Sequence, residues 1–409
     1  MTEHRLMGAD FVRAAACLFV LAHHLIQRVA PSAVDAALHP VFRFGLMGSF
    51  GVAAFFVLSG YLLSRPYWLA YDANAPMPSL WTYAMRRAAR ILPGYWLALT
   101  VTFVLSFTLF GVYFEQGLLT RFLTGFLLVS DFHYTSLFPV EYNGPLWSIA
   151  FEVTAYVLLP FGLALVFLLR QARPGWLGRA VWLAVIGLAL GAHYLIATYW
   201  PIEPEFRGWN YGLVGGAKEW MPRFNPIGFF TVFALGALAG GVQVRWAQYR
   251  SWLFDALTVA GLAGAGWVMW SHAGRATEGW GLFGVPYGFP LFPLAVALAL
   301  AAAPSSRIAG WLLDNPPARY VARISFGIYV WHFLIIEIIR YNWFPRLFYG
   351  GVDDFGEWLL ASGVVIGITI LIAHVSYNVL EAPIIAWARA REKRKPPAGA
   401  EPLPAGWIP

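Results

Sequence analysis

Long apolar runs recur along almost the whole chain and leave little polar sequence between them. Each is close to the ~20 residues that a helix needs to cross a bilayer. Only 12% of the residues are charged and 59% are hydrophobic, whereas soluble domains carry roughly 25% charged residues. The pattern predicts an all-α fold, a polytopic membrane bundle of about ten transmembrane helices. The runs lie at 11–30, 46–64, 92–112, 146–169, 179–199, 226–244, 252–270, 286–303, 324–341 and 357–380.

The basic residues indicate how the bundle is oriented. With the N-terminus in the cytoplasm, 19 Lys and Arg side chains fall inside and 9 outside, which agrees with the preference of these residues for the cytoplasmic face. Both termini are then predicted to be cytoplasmic, because ten spans return the chain to its starting side. The segment 118–137 is also apolar, but Arg121, Asp131 and His133 interrupt it. We expect a re-entrant or interfacial segment there, since one more span would reverse everything that follows.

The sequence divides into a membrane-embedded domain over residues 1–383 and a cytoplasmic basic, Pro-rich tail over 384–409. No small-residue cleavage site precedes the first apolar run, so we expect a retained span instead of a signal peptide. The expected location is the inner (plasma) membrane, as a multi-pass protein. The net charge of +7 follows from cytoplasmic basic residues and requires no nucleic-acid partner. The lone cysteine, Cys17, excludes disulfides within the chain and cysteine-rich metal sites.

The first apolar run carries an arginine and a histidine on one helical face. Arg13 and His24 are eleven residues apart, which is three turns plus roughly 20° and about 16 Å along the axis. The neighbouring His23 points about 100° away, so only His24 shares the face of Arg13. An ionisable side chain at membrane depth costs at least about 2.5 kcal/mol, and such residues usually face the protein interior and serve a function there.

Three arginines follow the second apolar run, at Arg86, Arg87 and Arg90. On a helix they would form one cationic face. Guanidinium groups bind phosphate oxygens in a bidentate manner, so this face would suit a polyphosphate. Anchoring of the loop on the cytoplasmic side explains the same residues equally well, and the spacing alone leaves both interpretations open.

The fourth run carries Ser148, Glu152 and Tyr156 at intervals of four residues, which places them on one stripe of a helix. Counted from the membrane boundaries, Glu152 lies roughly 9 Å and His24 roughly 14 Å below the outer surface of a ~30 Å core. The two side chains could therefore meet, and a carboxylate beside an imidazole would fix its tautomer and raise its basicity. A purely structural pair that joins two helices is equally consistent with the spacing.

For the other intramembrane polar groups, helix packing is the favoured interpretation. Ser59 and Gly60 are small residues of the kind that let membrane helices approach closely. His332, Glu337 and Glu381 are interpreted as helix-to-helix hydrogen-bonding groups. No metal site is expected, because metal-ligand spacing is absent among His193, His272 and His374.

Six short segments nevertheless follow one another in a recognisable order between residues 10 and 383. They are Asp10-x-x-Arg13 with His24, Phe55 to Gly60, Arg87-x-x-Arg90 with Pro93 and Tyr95-Trp96, Trp147-Ser148 with Glu152 and Tyr156, Ile324-Ser325 with Tyr329-x-Trp331-His332, and Leu380-Glu381-x-Pro383. Taken together, they resemble the acyltransferase family 3 group of integral-membrane acyltransferases. The sequence departs from the family pattern at Ala14, at Ala53-Ala54 and at Val153, which affects the detail of substrate binding more than the chemistry.

The resemblance implies an acyltransferase 3 domain over residues 1–383 with acyl-CoA as its donor. It implies that His24 is the catalytic base and Glu152 an active-site carboxylate, with Arg13, Arg87 and Arg90 as contacts to acyl-CoA from the cytoplasmic side. Some members carry a fused extracytoplasmic SGNH-hydrolase domain. We expect none in this chain, so a separate protein is expected to complete any second transfer step.

We therefore expect an enzyme that transfers an acyl group, in the simplest case acetyl from acetyl-CoA, to a hydroxyl of a cell-envelope glycan or a related acceptor. The expected partners are acyl-CoA, the hydroxyl acceptor and membrane lipids, with no metal. The alternative is a carrier or translocator of a lipid-linked sugar, in which His24 and Glu152 form a proton relay. The candidate residues are His24 and Glu152 for catalysis, Arg13, Arg86, Arg87 and Arg90 for the donor, and Asp10, Trp147, Ser148, Tyr156 and His332 for the substrate.

Overall fold

The computed structural model describes residues 6–168, 175–275 and 279–393, and within these ranges the chain is helical with no β-strand. An isolated bridge pairs Val29 with Val352. This architecture confirms the all-α class. The helices are α1 Ala9–Ile26, α2 His39–Leu46, α3 Gly51–Asp72, α4 Leu80–Thr108, α5 Gln116–Phe126, α6 Trp147–Leu168, α7 Trp176–Tyr199, α8 Gly212–Trp220, α9 Pro226–Trp246, α10 Trp252–His272, α11 Leu291–Ala302, α12 Ala309–Leu313, α13 Pro316–Asn342, α14 Phe355–Ser376 and α15 Ala382–Lys393.

Nine helical segments of the described chain are long and apolar enough to cross a membrane, so the polytopic bundle is confirmed. The eighth predicted span, 286–303, is instead the 12-residue helix α11. Gly284 and Gly288 have φ angles of +77° and +64°, which hold the preceding residues in turns, and the helix begins only at Leu291. A 3-10 turn then extends it to Ser305, where the chain meets Ser251 at the start of α10.

We call the end of the bundle where α1 begins the near end, and the opposite end the far end. α13 runs parallel to α1, because Cys17 Sγ donates to the Ser325 carbonyl oxygen, and Arg28, two residues beyond the end of α1, pairs with Glu337 further along α13. α4 also begins at the near end, where Arg86 binds Glu392 of α15. Both ends of the described chain therefore lie at the near end, because the short helix α11 returns the chain from the far end of α10 to the level of Ser251 and adds a tenth crossing to the nine long segments. That the near end is cytoplasmic remains a prediction.

The closest contact in the bundle joins α3 to α9. A Cβ atom on Gly60 would overlap the carbonyl oxygen of Phe233, and one on Gly236 would overlap the carbonyl oxygen of Val57. Only glycine permits this approach, so the helix-packing interpretation of Gly60 is confirmed. The contact fixes the position of Ser59, the residue before Gly60, on the neighbouring face of α3.

The chain between α5 and α6 does not cross the bundle. α5 has 11 residues, about half of what a spanning helix needs. The second half of the irregular segment that follows, from Ser136 onward, is mostly buried, with Leu137 and Asn143 completely inaccessible. Irregular backbone at this depth requires protein around it. Asn143 Nδ2 donates to the carbonyl oxygen of Val330, 2.9 Å away, in the middle of α13. α6 therefore begins inside the bundle.

Because α6 begins inside the bundle, its side chains lie deeper than the sequence suggested. Val330 lies twelve residues before the far end of α13, which is about 18 Å. Glu152 follows the first residue of α6 by more than one turn toward the near end. It thus lies deeper than the sequence-based estimate, which placed the start of the helix at the membrane boundary.

Candidate functional site

Five helices enclose an open pocket of about 690 Å³, its mouth included. α1, α3, α4, α6 and α13 each contribute side chains to its wall. Residues far apart in the sequence thus meet in one place, and many of them belong to the segments that the sequence singled out. The lining residues are Arg13, Val52, Phe55, Phe56, Leu58, Ser59, Arg87, Arg90, Ile91, Ser148, Ile149, Glu152, Tyr156, Ser325, Phe326 and Tyr329.

Three guanidinium groups converge on this pocket. Arg13 comes from the first turns of α1, whereas Arg87 and Arg90 come from the first third of α4. Arg90 forms a long ion pair with the buried Glu381, with NH1 3.5 Å from Oε2. Within residues 6–168, 175–275 and 279–393, no carboxylate lies within ion-pair distance of Arg87. The pocket wall thus carries more positive than negative charge, and an anion could enter without displacing a strong internal ion pair.

Arg86 is not part of this pocket. Its Nε lies 2.8 Å from Glu392 Oε1 and its NH2 lies 2.7 Å from Glu392 Oε2. This two-pronged contact ties the start of α4 to α15. The three arginines predicted as one cationic face are therefore divided between the pocket and a structural ion pair.

Glu152 sits in the pocket wall at the centre of a small hydrogen-bond cluster. Ser59 Oγ donates to Glu152 Oε1 over 2.8 Å, and the Tyr156 hydroxyl donates to the same oxygen. Because both bonds end on Oε1, Oε2 keeps its capacity to accept from a bound molecule. The predicted stripe of Ser148, Glu152 and Tyr156 lines the pocket as a unit. Ser59, which the sequence suggested was a packing residue, also contributes a polar group.

A tyrosine and a serine form the far wall of the pocket. Ser148 Oγ and Tyr329 Oη are 2.6 Å apart, and the Tyr329 hydroxyl also donates to the Pro145 carbonyl oxygen at 3.1 Å. The Tyr329 ring lies 6.0 Å from the ring of His332, one turn further along α13. The pocket therefore ends next to a pair of histidines, one half-buried and one buried.

That pair is His24 and His332, whose ring centroids are 5.2 Å apart. His24 Nδ1 lies 3.0 Å from Gln27 Oε1. His332 Nδ1 lies 2.8 Å from the Tyr329 carbonyl oxygen, and its Nε2 has no partner within the described residues although the side chain is only 1% exposed. His23 faces elsewhere, since its Nδ1 contacts the Leu46 carbonyl oxygen.

His24 does not line the pocket, and in the described part of the chain no hydrogen bond joins it to Glu152. Ser148 lies level with Tyr329, and Glu152 is one turn closer to the near end, where Ser325 lies level with Cys17. By helical rise, Glu152 and His24 are separated by about 10 Å along the axis. The structure thus places the two candidate catalytic residues on either side of the Ser148 and Tyr329 pair.

The remaining candidates lie outside the pocket wall. Trp147 is buried in an aromatic cluster with Phe151, Trp220 and Phe224, which covers the ring. Asp10 lies one turn before Arg13 in α1 and is half-buried. The described residues contain no group of three or more His, Cys, Asp or Glu side chains placed to hold a metal ion.

Comparison with known proteins identifies a family. A family model described as an acyltransferase domain matches residues 8–374. No solved structure matches the chain.

Curated relatives share about a quarter of the aligned residues. The O-acetyltransferase OatA of Staphylococcus aureus is 24% identical over 398 residues, which cover 93% of this chain and 57% of that protein. The peptidoglycan O-acetyltransferase OatA of Listeria monocytogenes is 25% identical over 92% of this chain and 55% of its own length. The corresponding values for the putative peptidoglycan O-acetyltransferase YrhL of Bacillus subtilis are 25%, 94% and 56%. The chain spans little more than half the length of these relatives.

The family match covers nearly the whole membrane bundle, including the arginine pocket, the Glu152 cluster and the histidine pair. The chain therefore belongs to the acyltransferase family 3 group, and it is a multi-pass membrane protein.

Proposed function

We propose that this protein transfers an acyl group, acetyl in the first instance, from acyl-CoA to a hydroxyl of a cell-envelope glycan, with His24 as the general base. The observation that carries the proposal is the convergence of Arg13, Arg87 and Arg90 on one pocket. A cluster of three guanidinium groups in a partly buried wall suits the phosphates of a nucleotide-linked donor. The names of the relatives, which are O-acetyltransferases and in part peptidoglycan O-acetyltransferases, support the acetyl group and the glycan.

The donor would lie along α1. Its phosphates would bind the three arginines at the near end, and its pantetheine arm would extend past Glu152 toward the Ser148 and Tyr329 pair. The thioester must then pass that pair, because His24 lies about 16 Å beyond Arg13 along the helix. Glu152 Oε2 would accept hydrogen bonds from the N–H groups of the pantetheine arm. Holding both reactants in this way supplies much of the rate enhancement expected of such an enzyme.

In the transfer step, His24 removes the proton from the acceptor hydroxyl while that oxygen attacks the thioester carbonyl carbon. The carbon–sulfur bond breaks, the ester forms, and the CoA thiolate takes the proton from the His24 imidazolium. A positioned base of this kind contributes roughly 10²- to 10⁴-fold to the rate. His332, whose unpartnered Nε2 is buried beside His24, is the residue we assign to accept a hydrogen bond from a second hydroxyl of the acceptor, because the proton of the attacking hydroxyl goes to His24.

The carrier alternative depended on a direct proton relay between His24 and Glu152. Each of these side chains has its own separate hydrogen-bond partners, Gln27 for His24 and Ser59 with Tyr156 for Glu152. No observation on the described residues favours the carrier over the transferase.

The test is acyl transfer by purified protein in detergent or proteoliposomes, with radiolabelled acetyl-CoA as donor and peptidoglycan fragments as acceptor. We expect His24→Ala to abolish transfer while the melting temperature and CoA affinity stay near those of the wild type. His23→Ala is the matched control and should keep most of the activity, because its ring faces Leu46. Full transfer by folded His24→Ala protein, or equal losses in both variants in proportion to unfolding, would contradict the proposal.

A further inference from the structure

We infer that Gln27 is the positioning residue that holds His24 in the form required for proton transfer. The inference rests on the proposed function, in which His24 is the general base. Gln27 follows His24 by three residues and caps the end of α1 in a helical conformation, so the two side chains lie on the same side of the helix end. Gln27 Oε1 is 3.0 Å from His24 Nδ1. No sequence motif singles out this glutamine.

The hydrogen bond decides which nitrogen of His24 can act. An amide oxygen can only accept a hydrogen bond, so Nδ1 must carry the proton and Nε2 is left with a free lone pair. A neutral imidazole in this tautomer is the form in which a histidine removes a proton from a hydroxyl. In known nucleophile and base arrangements, a third group orients the base in the same way. Gln27 would perform this task without adding a charge.

The backbone around Gln27 is fastened from outside α1. The carbonyl oxygen of Leu25 accepts from Trp358 Nε1 at 2.8 Å. The carbonyl oxygens of Gln27 and Arg28 accept from the backbone N–H groups of Gly350 and Val352 at 2.9 and 3.0 Å. The last carbonyls of a helix have no partner within the helix, so these three bonds prevent fraying. They fix the turn that carries both Gln27 and His24.

The other groups around His24 determine how an added carboxylate would change its protonation. His23 and His332 contact the ring, and Phe333 packs against it at 5.0 Å. Arg28, four residues after His24 and just beyond the end of α1, is paired with Glu337 of α13 at 2.9 Å. Among the described residues, no carboxylate lies within hydrogen-bond distance of His24. A carboxylate introduced at position 27 would therefore be the first to touch this imidazole and would stabilise its protonated form.

The experiment compares Gln27→Leu with Gln27→Glu. Gln27→Leu keeps the approximate size of the side chain and removes the acceptor. We expect its kcat to fall roughly 10- to 100-fold, a part of what a positioned base contributes, while the KM for acetyl-CoA and the melting temperature stay near the wild-type values. Gln27→Glu should move the acidic limb of the pH profile of kcat/KM to higher pH, because the added carboxylate favours protonated His24.

A second readout does not depend on the acceptor. Diethyl pyrocarbonate modifies neutral imidazole, and peptide-resolved mass spectrometry reports the labelling of His24 at each pH. We expect the midpoint of His24 labelling to move upward in Gln27→Glu. Trp358→Phe is the structural control, since it removes the bond to the Leu25 carbonyl oxygen without touching the imidazole. It should lower the melting temperature and leave the labelling midpoint and the pH profile unchanged.

The assignment would be overturned if Gln27→Leu kept the wild-type kcat and if Gln27→Glu left the acidic limb of the pH profile of kcat/KM unchanged. A loss of activity in Gln27→Leu that merely follows the folded fraction, as in Trp358→Phe, would overturn it as well. These results differ from failure of the proposed function, in which His24→Ala itself would remain active. Inactive His24→Ala combined with wild-type Gln27 variants would refute the role of Gln27 alone.

Discussion

Arg86, Arg87 and Arg90 lie within five positions of one helix, yet their surroundings assign them different tasks. Arg87 and Arg90 face the pocket. Arg86 is held by two hydrogen-bonded contacts to Glu392. Substitutions of Arg87 and Arg90 therefore test the role of the pocket, and the same substitution of Arg86 is the control.

We expect Arg87→Ala and Arg90→Ala each to weaken CoA binding about tenfold or more, because loss of a charge-assisted phosphate contact costs roughly 1.5 to 3 kcal/mol. Arg86→Ala should change the affinity little and should instead lower the melting temperature slightly. Isothermal titration of CoA into detergent-solubilised protein measures all three. Equal affinity loss in all three variants would show that total charge, and not the pocket, governs binding.

Some residue-level expectations followed directly from helical spacing. Ser148, Glu152 and Tyr156 share the pocket wall because residues four apart lie on one face of any helix. The proposed meeting of His24 and Glu152 depended on where α6 begins, and this depends on a buried irregular segment with no periodic pattern. Gln27 was missed for another reason, since a glutamine one turn after a histidine is indistinguishable in sequence from an ordinary polar residue at a helix end.

At the scale of elements, the segment between α5 and α6 carries a buried carboxyl group. Asp131 Oδ2 accepts from Thr154 Oγ1 at 2.7 Å, while Oδ1 has no partner among the described residues. Burial raises the pKa of Asp131 to about 6. The folded protein therefore keeps this carboxyl group protonated to a higher pH than an exposed aspartate would be.

We expect this segment to make stability depend on pH. The contribution of Asp131 is fully present below its ordinary pKa of 3.8 and is lost as the pH rises through about 6, and a shift of this size corresponds to roughly 3 kcal/mol. Asp131→Asn removes the titration and should gain in melting temperature, relative to the wild type, between pH 5 and pH 8. Thermal unfolding in detergent at both pH values measures this. An unchanged difference between the two proteins would contradict the assignment.

The number and class of the elements were predictable from the lengths of the apolar runs, and in the described part of the chain nine helical segments are long and apolar enough to span a membrane. The start of α11 could not be predicted in this way. Its apolar residues continue back to position 286, but Gly288 adopts a φ of +64° and the helix cannot start before it. Hydropathy records which residues prefer an apolar environment, and it does not record which backbone conformation they adopt.

At the scale of the whole molecule, both described ends of the chain lie at the near end, and the distribution of Lys and Arg predicts that this end is cytoplasmic. Single cysteines in a Cys17→Ser background test the prediction. Ala73, in the loop after α3, and Asn210, in the loop before α8, are both exposed and lie at opposite ends of the bundle. A membrane-impermeant maleimide applied to intact cells should label Asn210→Cys and leave Ala73→Cys unmodified. The reverse pattern would invert the predicted topology.

The contact between α1 and α13 also has a consequence for biosynthesis. Arg28 and Glu337 are separated by 309 positions, and Leu25 and Trp358 by 333. α1 is synthesised first, yet the residues that fix its far end lie on α13 and α14, which are among the last helices to leave the ribosome. The histidine pair and its glutamine can thus assemble only after α13 and α14 have entered the membrane. An incomplete chain can form the contact between α3 and α9, but it cannot bring the histidine pair and Gln27 together. Nascent protein should therefore remain inactive until synthesis has passed α13 and α14.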